Sequence, residues 1–515
     1  MAGGAVLRLL RNDPGSQTMQ RGVLLGTGVV VAAVVGFFAL RSMTSHKAAI
    51  ALDQGLEQLQ ASLPAGTTIR HGATEVNPLT GTLTVHAMVL LRDGAATATA
   101  ETVTVAGADQ QALRDVFDPV AYPNGRPAWT DRKLLLSDVT VENLRVVGRD
   151  PQAGDVTVAR IVLHRLSGRP FMLPPTPENR AKPEFAADAA LALAADSMQE
   201  HGIVVTDSKT ANRLKIGTTD LEGYDAGRLK SFDLRDMKLD FDNQTKGRAF
   251  HMILADFGLK DADLRAPLQG VRQTGHADKS QLGQAAFGSG ALSGLVLDMV
   301  QGPHLELHDT QVTYSSGPVG PTGGQASLHG LTISMGQTKV PASAAPVLAA
   351  FGMNAVTMDI DGASQRNPAT RQTELHEDVV LHDLGTFHLQ GSFIGGDPAL
   401  ADPDKPAAAL LGTTLNHASI VLDDHSLTNR IFAAAAAQMH TTPELVRAQL
   451  AMPIVTLALM LPEQQDAADQ LTAFLNNPRK LTVTMVPPQP VTLGQVSAAP
   501  IYSRARTLGI HIGSN

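Results

Sequence analysis

The chain of 515 residues contains no cysteine, which excludes a disulfide scaffold, thiolate metal sites, iron–sulfur clusters and a cysteine nucleophile. Charged residues are scarce at 17 %, and aromatic residues are scarcer at 4 %, with a single tryptophan. The net charge of −8 argues against nucleic acid as a partner, because nucleic-acid-binding proteins present basic surfaces to phosphates. Apolar residues make up 43 % of the chain, so wholesale disorder is excluded as well.

The strongest feature is an uncharged apolar run of nineteen residues at positions 22–40, bounded by Arg21 and Arg41. As a helix it would be about 28 Å long, close to the hydrocarbon thickness of a bilayer. We predict a single uncleaved transmembrane helix in a bacterial inner membrane, with residues 1–21 in the cytoplasm and the bulk of the chain in the periplasm. The alternative is a cleaved signal peptide, for which the run is long and the following residues form a poor cleavage site.

Small residues recur at every fourth position of this predicted membrane anchor. Gly22 and Gly26 form a G-x-x-x-G pair, and Gly28, Ala32 and Gly36 form a second series with one small residue at every fourth position. Such residues let two membrane helices approach closely, which predicts contact with a second copy or with another envelope protein. The alternative is that glycine and alanine are simply common in membrane spans.

Beyond the anchor, the hydrophobic period changes to two, and valine and threonine dominate. We predict an α+β, mainly β fold with a single N-terminal transmembrane helix, a long antiparallel sheet that can curl into a trough, and a helical C-terminal region. The predicted parts are the cytoplasmic N-terminus (1–21), the transmembrane helix (22–40), a helical stalk with the first β region (45–165), a helix with the second β region (184–395) and a helix-rich C-terminal α+β region (407–515).

Local signals predict two features between the β regions. The stretch 169–183 carries five prolines and is predicted to be a linker or surface loop. Residues 184–201 are rich in alanine and lack proline and glycine, which predicts a helix that ends at Gly202. A short helix is also predicted for Pro341 to Phe351.

The C-terminal region contains the signals of three helices. Leu427 to His440 includes five consecutive alanines, and the sequence Thr-Thr-Pro-Glu from position 441 is typical of a helix start. A third helix is predicted from Leu461 to about Asn476. The uncharged run 448–461 is predicted to be a buried helix rather than a second membrane span, because it has only fourteen residues and contains a proline.

A short pattern recurs along the β-rich sequence: leucine, any residue, aspartate or glycine, and then apolar residues at alternate positions. In a continuous strand the leucine and the apolar residue three positions later would lie on opposite faces, so we predict a bulge or tight turn at the aspartate or glycine. The copies begin at Leu136, Leu234, Leu292 and Leu328, with looser ones at Leu221, Leu307 and Leu381.

A membrane anchor followed by such a repeat resembles the AsmA-like proteins of Gram-negative envelopes. The tail from Phe474 to Val491, FLNNPRKLTVTMVPPQPV, resembles a closing segment of uncharacterised alphaproteobacterial envelope proteins. The first resemblance implies a role in outer-membrane biogenesis and lipid movement along an apolar β-groove. Neither resemblance includes a catalytic motif.

The sharpest cluster of chemically active side chains is His304, Glu306 and His308, which alternate along one predicted strand. Imidazole and carboxylate groups are common metal ligands, so two imidazoles and a carboxylate on one face could bind a metal ion. However, residues two positions apart along a strand are about 7 Å apart, so the three side chains could reach a single metal ion only with strain. The favoured interpretation is a polar strand whose Leu305 and Leu307 face the core.

Histidines and aspartates recur further along, at His376, Asp378, His382 and His388, and could add ligands if neighbouring strands bring them together. The sequence contains no nucleophile elbow, zinc-protease helix, phosphate-binding loop or dinucleotide fingerprint. We therefore predict a protein that is not an enzyme and has no cofactor.

These features predict a membrane-anchored periplasmic protein of cell-envelope biogenesis that binds or transfers phospholipid on an aliphatic sheet face. In a simpler alternative, that face packs against the predicted helices 184–201 and 427–476. A different functional hypothesis is a scaffold or assembly factor for an inner-membrane complex, bound through the anchor or through an open sheet edge.

Overall fold

The computed structural model describes residues 66–515 except for 78, 118–120, 123–129, 149–153, 181, 208–211, 244–247, 277–285, 301, 318–319, 335–354, 396–410, 461–464 and 500. The predicted cytoplasmic segment, membrane anchor and stalk lie outside the described residues, and so does the helix predicted at Pro341 to Phe351. Within the described part of the chain, no helix combines the length and the apolar character that a membrane span requires.

The chain divides into two compact units. Within the described residues, the first unit comprises 66–247 and 256–287, and the second comprises 248–255 and 288–515. Both are built on antiparallel strands, and the described residues form twenty strands and nine helices. The prediction of a mainly β antiparallel fold is therefore confirmed.

Strands of the first unit form an antiparallel meander in which each strand from β3 to β9 pairs with the next. The strands are β1 (Thr67–Arg70), β2 (Thr74–Asn77), β3 (Thr82–Arg92), β4 (Ala95–Ala106), β5 (Lys133–Val146), β6 (Asp155–Gly168), β7 (Leu193–Thr206), β8 (Arg213–Asp225), β9 (Arg228–Asn243) and the end of β10 (Arg248–Asp263). The helices are α1 (Gln110–Phe117), α2 (Pro177–Arg180), α3 (Pro183–Ala192) and α4 (Arg265–Thr274).

A sealed apolar core covers one face of strands β3 to β6. The alternation seen in the sequence produces it directly, because every second residue of a strand points to the same face. Leu83 and Leu136 are 1 % exposed, and Leu113 of α1 is fully buried against them. Phe171 closes the core, with its ring 5.4 Å from that of Phe117 in an edge-to-face contact.

The helix predicted over residues 184–201 is wrong in its second half. Helix α3 ends at Ala192, and the chain continues as strand β7, which pairs with β6 on one side and β8 on the other. Pairing on both sides satisfies the backbone groups of β7 and outweighs the helix propensity of its alanines. Gly202 does have a positive φ of 65°, but it lies within the strand rather than at a helix end.

The second unit contains a second antiparallel meander, from β11 to β17, with β17 paired to both β18 and β19 and β18 paired to β20. The strands are β11 (Ser289–Met299), β12 (His304–Gly317), β13 (Gly320–Ser334), β14 (Ala355–Asn367), β15 (Gln372–Leu381), β16 (Gly385–Ile394), β17 (Thr414–Asp424), β18 (Lys480–Met485), β19 (Val491–Thr492) and β20 (Ile510–Ser514). The helices are α5 (Leu427–Met439), α6 (Pro443–Met460), α7 (Gln465–Asn476), α8 (Leu493–Ala498) and α9 (Ile501–Leu508).

The predicted irregularity of the L-x-[DG] repeat is confirmed in the second unit. Gly330 has a φ of 64°, and the register between β13 and β14 shifts at this point. As a result Leu328 pairs with Ile360 and Leu331 pairs with Met358. Because the two partners in β14 are two residues apart, both leucines of the repeat lie on one face.

The helix starts predicted in the C-terminal region are confirmed for α5 and α6, but the predicted burial of the run 448–461 is wrong where its side chains are described. Leu450 is 48 % exposed and Met452 is 70 % exposed. Helix α6 buries Val446 near its beginning, against Phe432 of α5. Among the described side chains of this helix pair, the buried ones are Thr428, Phe432, Ala436 and Val446.

Candidate functional site

One face of the meander β11 to β17 carries most of its large aliphatic side chains, together with Thr310, Ser364 and Glu377, and we call it the apolar face. Its members share a face because paired residues of adjacent strands point the same way and the bulged glycines keep the repeat leucines in phase. They are Leu292, Leu295, Leu297, Leu305, Leu307, Leu328, Leu331, Ile333, Val356, Met358, Ile360, Val379, Leu381, Phe387, Leu389, Ile420 and Leu422.

The apolar face is not sealed as the core of the first unit is. Leu307 is buried at 7 % exposure and Ile333 is exposed at 42 %, while the other members are half-buried. In the first unit the corresponding side chains of β3 to β6, such as Leu83 and Val105, are 1 % exposed. The second unit therefore presents an aliphatic surface that is only partly covered.

The opposite side of the same strands is polar, and a row of alternating histidines and aspartates crosses it. We call this row the histidine–aspartate ladder. It comprises Asp309 of β12, His329 of β13, Asp359 and Asp361 of β14, His376 and Asp378 of β15, the turn residue His382, His388 of β16 and Asp423 of β17.

His329 lies between two carboxylates of its neighbouring strands. Its Nδ1 is 3.0 Å from Oδ1 of Asp309, and its Nε2 is 3.1 Å from Oδ1 of Asp361. These contacts raise the pKa of His329, with Asp361 contributing most. The pKa of Asp309 is lowered in turn, chiefly by its hydrogen bond with His308 and then by His329.

Asp378 is held in the same way between two histidines. Its Oδ1 is 2.6 Å from Nδ1 of His388, and its Oδ2 is 3.1 Å from Nε2 of His376. The contact with His388 is the main cause of a lowered pKa for Asp378. Nε2 of His388 lies 3.5 Å from Oδ2 of Asp423, so the ladder continues to β17.

The register of the strands places two aspartates opposite each other, and the neighbouring histidines offset the repulsion between the two carboxylates. Asp361 pairs directly with Asp378 across β14 and β15. Two carboxylates facing each other on adjacent strands destabilise a sheet. His329 and His388 flank this pair from either side and compensate it when they carry a positive charge.

The sequence candidates for a metal site do not converge in the structure. His304 pairs with Asp298 of the neighbouring strand, and its Nε2 is 3.9 Å from Oε2 of Glu306. His308 is instead hydrogen-bonded to Asp309, with its side chain 83 % exposed. Across the described ranges, no group of three or more His, Cys, Asp or Glu side chains is arranged to hold a metal ion.

The structure does bring together the later histidines and aspartates that the sequence singled out, since His376, Asp378 and His388 are in mutual contact through the aspartate. His382 likewise contacts Asp359, with its Nε2 2.7 Å from Oδ2. Sequence reasoning missed His329. The signal that could have found it is the repeat itself, because His329 immediately precedes the bulged glycine of one copy.

The ladder predicts how the stability of the second unit depends on pH. The raised pKa of His329 contributes stability that is full below its ordinary pKa of about 6.5 and is lost as the pH rises through the raised value. The lowered pKa values of Asp309 and Asp378 contribute stability above about 3.8 that is lost as the pH falls further. We expect the urea midpoint of this unit to be highest near pH 5 to 6 and to decline toward pH 8.

The decline is expected to be small, on the order of 1 kcal/mol or less for His329, because its side chain is 42 % exposed and solvent screens the ion pairs. The variant His329→Gln keeps a hydrogen-bonding side chain but cannot be protonated, so its urea midpoint should change less between pH 6 and 8. If the urea midpoints of the two proteins changed equally with pH, His329 would not be the cause of the decline in stability.

Comparison with known proteins adds little to this geometry. A protein-family model described as "Uncharacterized protein" matches residues 378–515. The matched segment runs from the middle of β15 to the end of the chain. No match to a curated protein is found. Neither result points to the AsmA-like proteins, and the family description assigns no activity.

Proposed function

We propose that this protein is a non-enzymatic component of a bacterial cell envelope that binds phospholipid acyl chains on the apolar face of its second unit. The proposed location is the periplasmic side of the inner membrane, with the nineteen-residue apolar run as the anchor. The single observation that supports this most is the contrast between the sealed core over β3 to β6 and the half-buried aliphatic surface of the second unit.

The chemistry of the apolar face fits an acyl chain better than a polar ligand. Its side chains are mostly leucine, isoleucine and valine, and the aromatic residues on the same side of the strands are Tyr314, Phe387 and Phe393. Seven strands at about 4.8 Å spacing give it a width of roughly 29 Å. Each methylene group that it removes from water would contribute roughly 0.8 kcal/mol.

The simpler alternative, in which the C-terminal helices cover this face, is not favoured by the described contacts. Helix α7 packs against β18 and β20, near the C-terminal edge of the sheet. In helices α5 and α6, Phe432, Ala436 and Val446 form a buried cluster with one another, and α7 buries Ala468 and Phe474. The described helices therefore leave the half-buried members of the apolar face on β11 to β17 partly uncovered.

The experiment compares two double variants of the detergent-purified full chain. In the first, Ile333→Asp and Leu375→Asp place charges on the apolar side of the sheet at positions 42 % and 38 % exposed. In the second, Gln311→Asp and Gln325→Asp place the same charges at exposed positions on the polar side. Organic extraction followed by mass spectrometry measures the phospholipid that co-purifies with each.

We expect the first double variant to retain about tenfold less phospholipid than the unmodified protein and the second to retain a similar amount. Tenfold corresponds to about 1.4 kcal/mol, a modest loss for two charges placed beside acyl chains. Circular dichroism checks that both variants keep their strand content. Equal loss of phospholipid in both variants would contradict binding on the apolar face. A wild-type protein that carries no lipid and captures one inner-membrane complex would favour the scaffold hypothesis.

A further inference from the structure

One charged side chain, that of Glu377, lies within the apolar face rather than at its edge. Glu377 belongs to β15 and pairs with Gly362 of β14 on one side and with Leu389 of β16 on the other. Because Leu389 is a member of the apolar face, Glu377 projects from the same side of the sheet. Its side chain is half-buried, as is that of Val379, two residues further along the strand.

The carboxylate of Glu377 has no partner in the protein. Among the residues that the structure describes, none donates a hydrogen bond to it and no cationic side chain lies within ion-pair distance. The residues paired with it explain this, because Gly362 has no side chain and the side chain of Leu389 has no polar atom. A charge beside apolar groups costs free energy unless a charge or a hydrogen-bond donor compensates it.

The first unit shows how the protein compensates a glutamate in such a position. Glu200 of β7 pairs with the buried Ile161 of β6, so it projects from the side that carries the core. On its other side it pairs with Thr219 of β8, whose hydroxyl donates a hydrogen bond of 3.1 Å to Oε2 of Glu200. The strand next to Glu377 carries a glycine instead of a donor, which leaves the carboxylate to an external group.

The surface next to Glu377 leaves room for such a group. A methyl group at Gly362 would meet its nearest heavy atoms at 3.8 Å, which is an ordinary contact. Beyond Gly362, Ser364 and Arg366 of β14 project from the same side and are half-buried. Arg366 lies four residues beyond Gly362, or about 14 Å along the strand, so a carboxylate and a guanidinium group share this side of the sheet.

These two charges indicate the chemistry of the headgroup. A carboxylate binds an ammonium group, and a guanidinium group binds a phosphate. The headgroup of phosphatidylethanolamine carries both an ammonium and a phosphate, whereas phosphatidylglycerol carries only the negative charge. The aliphatic row Leu328, Ile360 and Val379 adjoins Glu377 on the side away from Arg366, where acyl chains would lie.

We infer that Glu377 selects the headgroup of the bound phospholipid, its carboxylate binding the primary ammonium group of an ethanolamine phospholipid whose phosphate lies on the side of Arg366. The inference rests on the proposed binding of phospholipid to the apolar face, and it adds the lipid class and the residue that discriminates between classes.

The test is a competition between two lipids on the full chain. The detergent-purified protein is incubated with mixed micelles that contain equal amounts of phosphatidylethanolamine and phosphatidylglycerol with identical acyl chains, and the lipid retained after detergent exchange is measured by mass spectrometry. We expect the wild-type chain to retain about tenfold more phosphatidylethanolamine, as a charge-assisted hydrogen bond in partly buried surroundings would give.

Glu377→Gln keeps the shape of the side chain and removes its charge, so it should retain phospholipid with the two classes in nearly equal amounts. The matched control is Glu306→Gln on the opposite side of the sheet, where the side chain is 58 % exposed, and it should keep the wild-type ratio. Because the carboxylate of Glu377 has no partner in the protein, its replacement should not lower the urea midpoint of the second unit.

Three results would overturn the inference while the proposed function stands: a wild-type chain that retains both lipids equally, an unchanged ratio in Glu377→Gln, and a change of the same size in Glu306→Gln. A wild-type chain that retains neither lipid would overturn the proposed function and the inference together, so the two failures are distinguishable.

Discussion

Asp188→Ala is expected to destabilise the first unit by about 3–5 kcal/mol, the largest effect of any single charge removal considered for this protein. The carboxylate of Asp188 is fully buried in α3. Its Oδ2 accepts hydrogen bonds from the backbone N–H groups of Met172 and Leu173, and its Oδ1 faces the guanidinium groups of Arg169 and Arg272 at 3.8 and 3.6 Å. Alanine would leave the two backbone N–H groups without their acceptor and the two guanidinium groups without their opposing charge.

The measurement is the free energy of unfolding of the first unit from urea denaturation, with hydrogen exchange of the peptide 183–192 to assign the transition. Asp196→Ala is the matched control, because Asp196 pairs with Arg165 on the surface and both side chains are about two-thirds exposed. The control should cost less than about 1 kcal/mol. A similarly small cost for Asp188→Ala would show that the buried carboxylate does not hold the proline-rich loop.

Leu136→Ala is expected to destabilise the first unit by about 3 kcal/mol, whereas Leu328→Ala should cost the second unit much less. Both leucines occupy the first position of the same sequence repeat. Leu136 is 1 % exposed in a packed core, so its removal loses transfer free energy and leaves a cavity. Leu328 is half-buried on the apolar face, so less apolar area is lost and water or lipid can fill the space.

Hydrogen exchange of the peptides that contain each leucine compares the two variants within their own units. Leu136→Ala costs more free energy of unfolding than Leu328→Ala only if Leu136 is enclosed by packed side chains and Leu328 is not. Equal destabilisation by the two substitutions would mean that the apolar face of the second unit is enclosed in solution, which would contradict the proposed lipid-binding surface.

Much of the strand pattern follows from the sequence because its physical cause is local. Alternation of apolar and polar residues predicted the meanders, and the position of Gly330 predicted a bulge that keeps Leu328 and Leu331 on one face. The start of α6 followed from a threonine, a proline and a glutamate in succession. In each case a few neighbouring residues determine the backbone conformation.

Where the deciding contacts are distant in sequence, the predictions failed. Strand β7 replaced half of a predicted helix because β6 and β8 flank it on both sides. The proline-rich stretch 169–183 was predicted to be exposed, but Pro170 and Pro175 are buried, since Asp188 and the core hold this stretch in place. No local sequence pattern predicts such contacts.

In the histidine–aspartate ladder, too, some features follow from local sequence and others depend on contacts between distant residues. His376 and Asp378 stand out in the sequence, but the partners His388 and His329 come from strands whose register the sequence does not reveal. The exposure of the α6 side chains could not be predicted either. An uncharged run is equally typical of a buried helix, and only the packing of its neighbours decides between the two.

The central claim is that the apolar face of the second unit carries phospholipid, and counting the phospholipid bound to the purified wild-type chain tests it most directly. After exhaustive detergent exchange, phosphate analysis and mass spectrometry of the extracted lipids should give at least about one phospholipid per chain. A chain that is fully folded by circular dichroism and carries no phospholipid after gentle purification and after incubation with lipid vesicles would contradict the account.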